Sequence, residues 1–186
     1  YDESVTVKDN GVWNITDDSS PTIIEINDKL TNNGFIKNNA SLVVKEIDNT
    51  LLIEKNLQLN SNSSLTITNG GANRYKISQG ILKLTGGTLE NFGEIITDSS
   101  LEIGSDAVLN NNDDSLVRVI SGSLTNNGTL NNAGTLNIED TLNNLGKIAG
   151  ANGILSVKDG SNSSSIIQNE LRITGNFSNT GEMTAN

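Results

Sequence analysis

The chain contains no cysteine and no histidine, and it has one proline among its 186 residues. Without cysteine, a disulfide framework and thiolate metal sites are excluded. Aromatic residues make up 3% of the sequence, and the formal net charge is −10. Few rings leave little for base stacking, and negative charge opposes binding to a phosphate backbone. We therefore expect no nucleic-acid partner.

Long apolar segments are also missing. The sequence has no apolar run of about 18 residues, so we expect no membrane insertion by this segment. The first ten residues, YDESVTVKDN, lack the basic start and the apolar stretch of a signal peptide. We therefore interpret residues 1–186 as a single repeat domain that forms an internal piece of a longer protein.

What the sequence has instead is a six-residue rhythm, in which an apolar residue is followed by asparagine two positions later and by glycine four positions later. In the clearest stretch the aliphatic residues are Leu124, Leu130, Leu136, Leu142, Ile148 and Ile154. Copies of the rhythm begin at Leu30, Leu89, Leu124, Leu130, Leu142 and Phe177. The principal copies are spaced by multiples of about 18 to 20 residues, which is typical of solenoids. Three such hexads would form one coil.

The same segments alternate with a period of two. From Leu30 to Val44, every second residue is aliphatic, small or asparagine, and the pattern repeats from Leu89 and from Leu124. This alternation predicts half-buried strands. Asn-x-Gly indicates a bend, because glycine accepts positive φ and asparagine bonds to nearby backbone. The predicted structural turn motif comprises Asn32, Gly34, Asn91, Gly93, Asn126, Gly128, Asn132, Gly134, Asn144, Gly146, Asn179 and Gly181.

The sequence therefore predicts an all-β fold, a right-handed parallel β-helix with three-sided coils of about 18 to 20 residues. We expect roughly nine or ten coils, and asparagine ladders along the axis. The right-handed form is favoured because about 98% of parallel crossover connections have that hand. Left-handed hexapeptide helices are the alternative, but they place a small residue directly after the aliphatic one. This chain has larger residues at that place, namely Thr31, Glu90, Thr125 and Asn143.

Few residues indicate chemistry. The acidic pairs Asp17–Asp18 and Asp113–Asp114 could bind calcium or act as acid and base, but carboxylates in an asparagine-rich turn are usually solvated. Without histidine or cysteine, hydrolysis would need a carboxylate pair or a Ser-Lys device, and nothing marks one. We therefore expect no enzyme, no catalytic residue, no metal and no cofactor.

Two surface patterns carry no functional prediction. Asn-x-Ser/Thr glycosylation sites are about as frequent as the composition alone would give, and they begin at Asn14, Asn39, Asn62, Asn127, Asn162 and Asn176. The segment Thr66-Ile67-Thr68 resembles the threonine ranks of ice-binding solenoids, but it occurs once.

The segment Leu142-x-Asn144-x-Gly146-x-Ile148-Ala149-Gly150 resembles the repeat of filamentous-haemagglutinin-type adhesins. The VWNITDDSS stretch, residues 12–20, is similar to the tryptophan-centred stretches of autotransporter passengers. The resemblance implies a right-handed parallel β-helix, export through an outer-membrane pore, and a role in adhesion, aggregation or biofilm formation. The secretion-domain motifs and the terminal barrel pattern of those families are not found, which a central fragment would explain.

The leading hypothesis is a surface-exposed adhesin segment, secreted or anchored to the bacterial surface through regions outside this chain. Its partners would be a host-cell surface protein, a glycan, or further copies of itself. One alternative is a carbohydrate-binding or polysaccharide-processing β-helix. Another is the β-solenoid of fungal cell-wall adhesins, whose members typically carry cysteines.

Overall fold

The structure is a computed structural model that describes residues 1–15, 23–54 and 63–185. These residues form eighteen strands and no helix. No helix in these three ranges is long and apolar enough to cross a membrane. The strands are β1 (Val5–Val7), β2 (Val12–Ile15), β3 (Ile23–Asn32), β4 (Phe35–Asn38), β5 (Ser41–Asn49), β6 (Leu52–Glu54), β7 (Ser64–Ile67), β8 (Gly70–Asn73), β9 (Lys76–Asn91), β10 (Glu94–Asn111), β11 (Leu116–Val119), β12 (Ser123–Asn126), β13 (Thr129–Asn132), β14 (Thr135–Asn144), β15 (Lys147–Asn162), β16 (Ser165–Ile173), β17 (Phe177–Asn179) and β18 (Glu182–Ala185).

The period-two alternation is confirmed by burial. Every second residue from Leu30 to Val44 is buried, and so is every second residue from Leu124 to Ile138. The residues between them are half-buried or exposed. Successive side chains of a strand point to opposite faces of a sheet, so one set packs inside each coil and the other meets solvent.

The strands pair in parallel, each with a strand one coil later, and the register builds three faces. The first face stacks Val5, Leu30, Ile47, Gly71, Leu89, Leu109, Leu130, Ile148, Ile166 and Met183. The second face stacks Trp13, Ile36, Ile53, Ile77, Ile95, Val117, Leu136, Leu155 and Leu171. The third face stacks Ile24, Leu42, Leu65, Leu82, Leu101, Leu124, Leu142, Gly160 and Phe177. The fold is therefore a three-sided parallel β-solenoid.

Coil lengths vary more than the sequence predicts. Residues that are hydrogen-bonded between successive coils are separated by 17, 18, 20, 21 or 24 positions, against the expected 18 to 20. Additional residues are accommodated at corners, as at Asp113–Asp114, which form a turn before Ser115. Residues 16–22 and 55–62 lie outside the described ranges. The right-handed winding and the total number of coils remain predictions.

One position of the hexad rhythm is corrected by the register. The rhythm predicts that Ile154 continues the inward series, but Ile154 pairs with Thr135, and Leu155 pairs with the inward Leu136. Leu155 is fully buried, whereas Ile154 is half-buried. The corner after Gly150 contains one residue more than the corner after Asn132, and this insertion shifts the inward position by one.

The interior is a single thin cluster of Leu, Ile and Val side chains that follows the axis. Trp13 near one end and Phe177 and Met183 near the other are partly buried against it. Fully burying one such side chain stabilises the fold by about 1.5 to 3 kcal/mol. No aliphatic position dominates, so stability is distributed along the stack.

We expect Leu101→Ala, which truncates a fully buried side chain of the third face, to lower the free energy of unfolding by about 2 to 5 kcal/mol. The matched control is Leu145→Ala, at a side chain that is 59% exposed, where we expect a change within about 0.5 kcal/mol. Urea unfolding followed by circular dichroism measures both. Equal losses would contradict the assigned burial.

Candidate functional site

The recurring asparagines are buried rather than exposed. Ten of them have relative exposures of 0% or 1%: Asn32, Asn38, Asn49, Asn73, Asn91, Asn111, Asn126, Asn132, Asn144 and Asn162. Burying an amide without a hydrogen bond costs roughly 1 to 3 kcal/mol by mutational measures. Each side chain therefore needs partners inside the coil.

One series of these side chains, the long ladder, runs through the corner between the first and second faces, here called the first corner. The Nδ2 of every member except the last donates to the Oδ1 of the asparagine one coil later, at 2.7 to 2.8 Å. The members of the long ladder are Asn32, Asn49, Asn73, Asn91, Asn111 and Asn132.

A second series, the short ladder, lies at the corner between the third and first faces, here called the third corner. It consists of Asn126, Asn144, Asn162 and Asn179, with the same 2.7 to 2.8 Å bonds. In the preceding coil the register places Ile103 beneath Asn126. The buried Oδ1 of Asn126 consequently has no hydrogen-bond partner among the described residues.

Most ladder asparagines use a second amide hydrogen to bind backbone. Asn91 donates to the carbonyl oxygen of Leu116 at 3.3 Å, and Asn144 donates to that of Ser165 at 3.2 Å. The acceptor is in both cases the first residue of the strand after the corner, one coil later. The amide thus joins a strand end, the next asparagine and the start of the next strand, which stabilises the corner.

The six predicted Asn-x-Gly motifs fall into two sets. Gly34, Gly93 and Gly134 follow long-ladder asparagines at the first corner, whereas Gly128, Gly146 and Gly181 follow short-ladder asparagines at the third corner. In each motif the chain bends between two strands. The motifs are therefore not all equivalent positions of one coil.

The expected reason for these glycines was wrong. None of the six motif glycines has positive φ, which occurs instead at other glycines such as Gly70 and Gly122. A Cβ added at Gly93 would overlap the carbonyl oxygen of Tyr75 in the preceding coil, and one at Gly146 would overlap that of Gly128. Glycine is needed because successive coils approach closely at the corner.

The sequence prediction missed several amides that act in the same way. Asn49, Asn73, Asn111 and Asn162 belong to the ladders, but they lack a glycine two positions later. Beyond Asn132 the next ladder position is Gly150, and Asn132 instead bonds at 2.7 Å to Gln168, 36 residues away. Each of these residues occupies an inward position of the alternation, which was the signal available in the sequence.

The acidic candidates are not assembled into a site. Asp113 and Asp114 are exposed at a turn of the first corner, where Asp114 has a φ of 61°. Asp17–Asp18 lie outside the described residues. Within the described ranges, no three His, Cys, Asp or Glu side chains are grouped so that they could hold a metal ion.

The structure also shows the exposure of the Asn-x-Ser/Thr sites and the neighbours of the Thr66-Ile67-Thr68 segment. Asn162 is buried in the short ladder, so its glycosylation signal is not accessible in the folded chain. Asn14, Asn127 and Asn176 are exposed, Asn39 is half-buried, and Asn62 lies outside the described residues. Thr66 is aligned with Val43 and Lys83, so no flat threonine rank forms.

An open groove lies at the first corner. It has a volume of about 340 Å³ and is lined by Arg74, Tyr75, Lys76, Gly93 and Glu94. Two other grooves have similar volumes of about 340 and 330 Å³, so volume does not single this one out. Exposed aromatic residues of two successive coils lie at this corner, because Tyr75 is 55% exposed and Phe92, in the next coil, is 51% exposed.

The short ladder predicts that replacing Asn144 and replacing Asn126 lower the free energy of unfolding by different amounts. Asn144→Leu removes both the donor to Asn162 and the acceptor for Asn126, so we expect a loss of roughly 3 kcal/mol in unfolding free energy. Asn126→Leu breaks the bonds to Asn144 and to the Lys147 carbonyl but also removes an unpaired oxygen, so we expect a smaller loss of about 2 kcal/mol. Urea unfolding compares the two variants, and equal losses would contradict the assigned ladder end.

The corner glycines give a second comparison. We expect Gly93→Ala to destabilise the chain by at least about 2 kcal/mol, because its Cβ overlaps backbone that cannot move independently of the coil. Gly104→Ala is the control, since the nearest atom to its added Cβ is the carbonyl oxygen of Leu84 at 3.2 Å. Thermal unfolding measures both variants. If Gly93→Ala were as stable as Gly104→Ala, close approach would not explain the motif.

In comparisons with known proteins, the chain matches no protein-family model, no curated protein and no solved structure. Its function is therefore inferred from the coils and their outward residues.

Proposed function

We propose that the chain is a rod-like β-helical segment of a surface-exposed adhesin. It presents outward side chains for adhesion to a host-cell surface protein or glycan, or for association between copies, as in aggregation and biofilm formation. The protein is secreted or held at the bacterial surface through regions outside this chain.

The division between inward and outward residues carries this proposal. Inward positions repeat from coil to coil, whereas the central outward position of the third face does not. That position holds Glu25, Val43, Thr66, Lys83, Glu102, Thr125, Asn143, Ser161 and Ser178 in successive coils. Because the coil does not constrain these residues, they are available to form binding surfaces along the rod.

The outward ion pairs contribute little to the stability of the fold, which is consistent with a surface that is free to vary. Lys76 pairs with Glu94 at 3.2 Å, Lys83 with Glu102 at 3.0 Å, and Arg118 with Glu139 at 2.6 Å, each between different strands. All six side chains are about a third to a half exposed, so each pair contributes about 0 to 1 kcal/mol. The fold would tolerate their replacement, which suits a surface that adapts to its partner.

The first-corner groove favours binding over polysaccharide cleavage. Glycoside hydrolysis normally uses two carboxyl groups on either side of the scissile bond. The groove lining includes a single carboxylate, that of Glu94.

Adhesion is tested with beads coated with the purified chain and incubated with cultured epithelial cells, and separately with one another. Beads coated with an unrelated protein of similar net charge are the control. We expect coated beads to attach to cells or to aggregate well above the control. If they do neither, or if the chain releases new reducing ends from a polysaccharide panel, the proposal fails.

A further inference from the structure

Large exposed apolar side chains are concentrated at the first corner. We name Phe35, Leu51, Tyr75 and Phe92, which follow one another on successive coils, the aromatic corner. Phe35 is 39% exposed, Leu51 is half-buried, and Tyr75 and Phe92 are about half exposed. The register aligns Leu51 with Tyr75, whereas Phe35 is aligned with Lys76 and Phe92 with Arg74, so these side chains share the corner without forming one column.

The third corner of the same coils carries polar residues where the first corner carries large apolar ones. Between the inward residues of the third and first faces it carries Lys45–Glu46 in one coil and Thr68–Asn69 in the next, and none of these is apolar. Both corners turn the chain between two faces, and the third corner does so without rings, so the turn itself does not require them. The aromatic corner is therefore a property of outward residues that the fold leaves unconstrained.

A glycine and a tyrosine lie side by side in the groove. Gly93 occupies in one coil the position that Tyr75 occupies in the coil before it, as the pairing of Glu94 with Lys76 shows. At Gly93 the backbone itself lies against the backbone of Tyr75, so the tyrosine supplies the side chain of this pair. Arg74, Lys76 and Glu94 complete the lining of the groove.

The cations of the groove have carboxylate partners. Arg74 lies 3.7 Å from Asp48, and Lys76 lies 3.2 Å from Glu94. Asp48 also pairs with Lys29 at 3.3 Å, so two cations share this carboxylate. The guanidinium of Arg74 also lies above the ring of Phe92, 5.6 Å from its centre.

We propose that the aromatic corner binds neutral carbohydrate, with Tyr75 as the stacking platform. One face of a sugar ring presents C–H groups that pack on an aromatic ring, while its hydroxyls donate to Glu94 and accept from Arg74 and Lys76. A groove of about 340 Å³ matches a mono- or disaccharide unit. The inference deepens the proposed function, and it rests on that function for the biological role of the contact.

The charges at the corner favour this ligand over two others. An anionic glycan would be attracted by unpaired cations, but Arg74 and Lys76 both have carboxylate partners. A second copy of the chain would bring another net charge of −10 to this corner. A neutral ligand with many hydroxyls meets neither obstacle.

The test records amide shifts of the ¹⁵N-labelled full chain while neutral disaccharides are added to millimolar concentration: maltose, cellobiose, lactose and diacetylchitobiose. A sulfated and a sialylated saccharide are added in parallel. We expect at least one neutral probe to shift residues 74–76 and 92–94. The amide of Trp13 should not shift, because it lies three strand spacings, about 14 Å, from the coil of Ile77.

Two variants locate the contact. We expect Tyr75→Ala to weaken binding at least about tenfold, with unchanged thermal unfolding because the ring is exposed. Leu145→Ala, an equally exposed apolar residue at the third corner, should bind as the parent does. The inference is overturned if no neutral probe shifts residues 74–76 and 92–94, if Tyr75→Ala binds unchanged, or if only anionic probes bind. It is also overturned if Tyr75→Ala abolishes self-association while no sugar binds.

Failure of this inference can be told apart from failure of adhesion. Beads coated with Tyr75→Ala that still attach to cells, together with a chain that binds no sugar, would overturn the carbohydrate site and leave the adhesive role intact. Sugar binding that Tyr75→Ala removes, together with beads that attach to nothing, would support the site and overturn the adhesive role.

Discussion

The structure depends on supplying hydrogen-bond donors to the carbonyl groups that a narrow coil buries at its corners. Leaving a buried carbonyl unpaired costs roughly 1 to 3 kcal/mol, whereas a surface ion pair contributes about 0 to 1 kcal/mol. Asparagine meets this need because its amide has two hydrogens, one for the next asparagine and one for the backbone, as in Asn144. Buried amides, more than surface charges, therefore hold successive coils in register.

This requirement does not specify which corner carries the amides. The chain uses the first corner from Asn32 to Asn132 and the third corner from Asn126 onward, so the coil that contains Asn126 and Asn132 carries both ladders. The first oxygen of a ladder has no asparagine before it, and the two ladders differ at this end. The Asn126 Oδ1 is unpaired, whereas the Asn32 Oδ1 accepts from the backbone N–H of Gly34 at 3.2 Å. At the opposite end of the long ladder, Asn132 donates across the position of Gly150 to Gln168.

The sequence predicted the inward residues well because strand alternation is a local property, as the segment from Leu30 to Val44 shows. The sequence predicted bends at the Asn-x-Gly motifs but not which corner of the coil each motif occupies. The hexads at Leu124 and Leu130 read alike but lie on different faces, because equivalence depends on the register between coils. The role of Gly93 was misassigned for the same reason: its constraint is a carbonyl of the preceding coil and not its own φ.

The division between inward residues that repeat and outward residues that vary indicates where to look for a binding site in a solenoid. Residues that build the coil repeat, so a residue that binds a partner is found where the repeat is broken. Tyr75 stands at the corner position that Gly34 and Gly93 occupy in other coils, and this exchange places a large side chain on the surface. The exposed half of Tyr75 contributes no buried area to the coil. The proposed sugar would cover that half, which would give a physical reason for a tyrosine at this position.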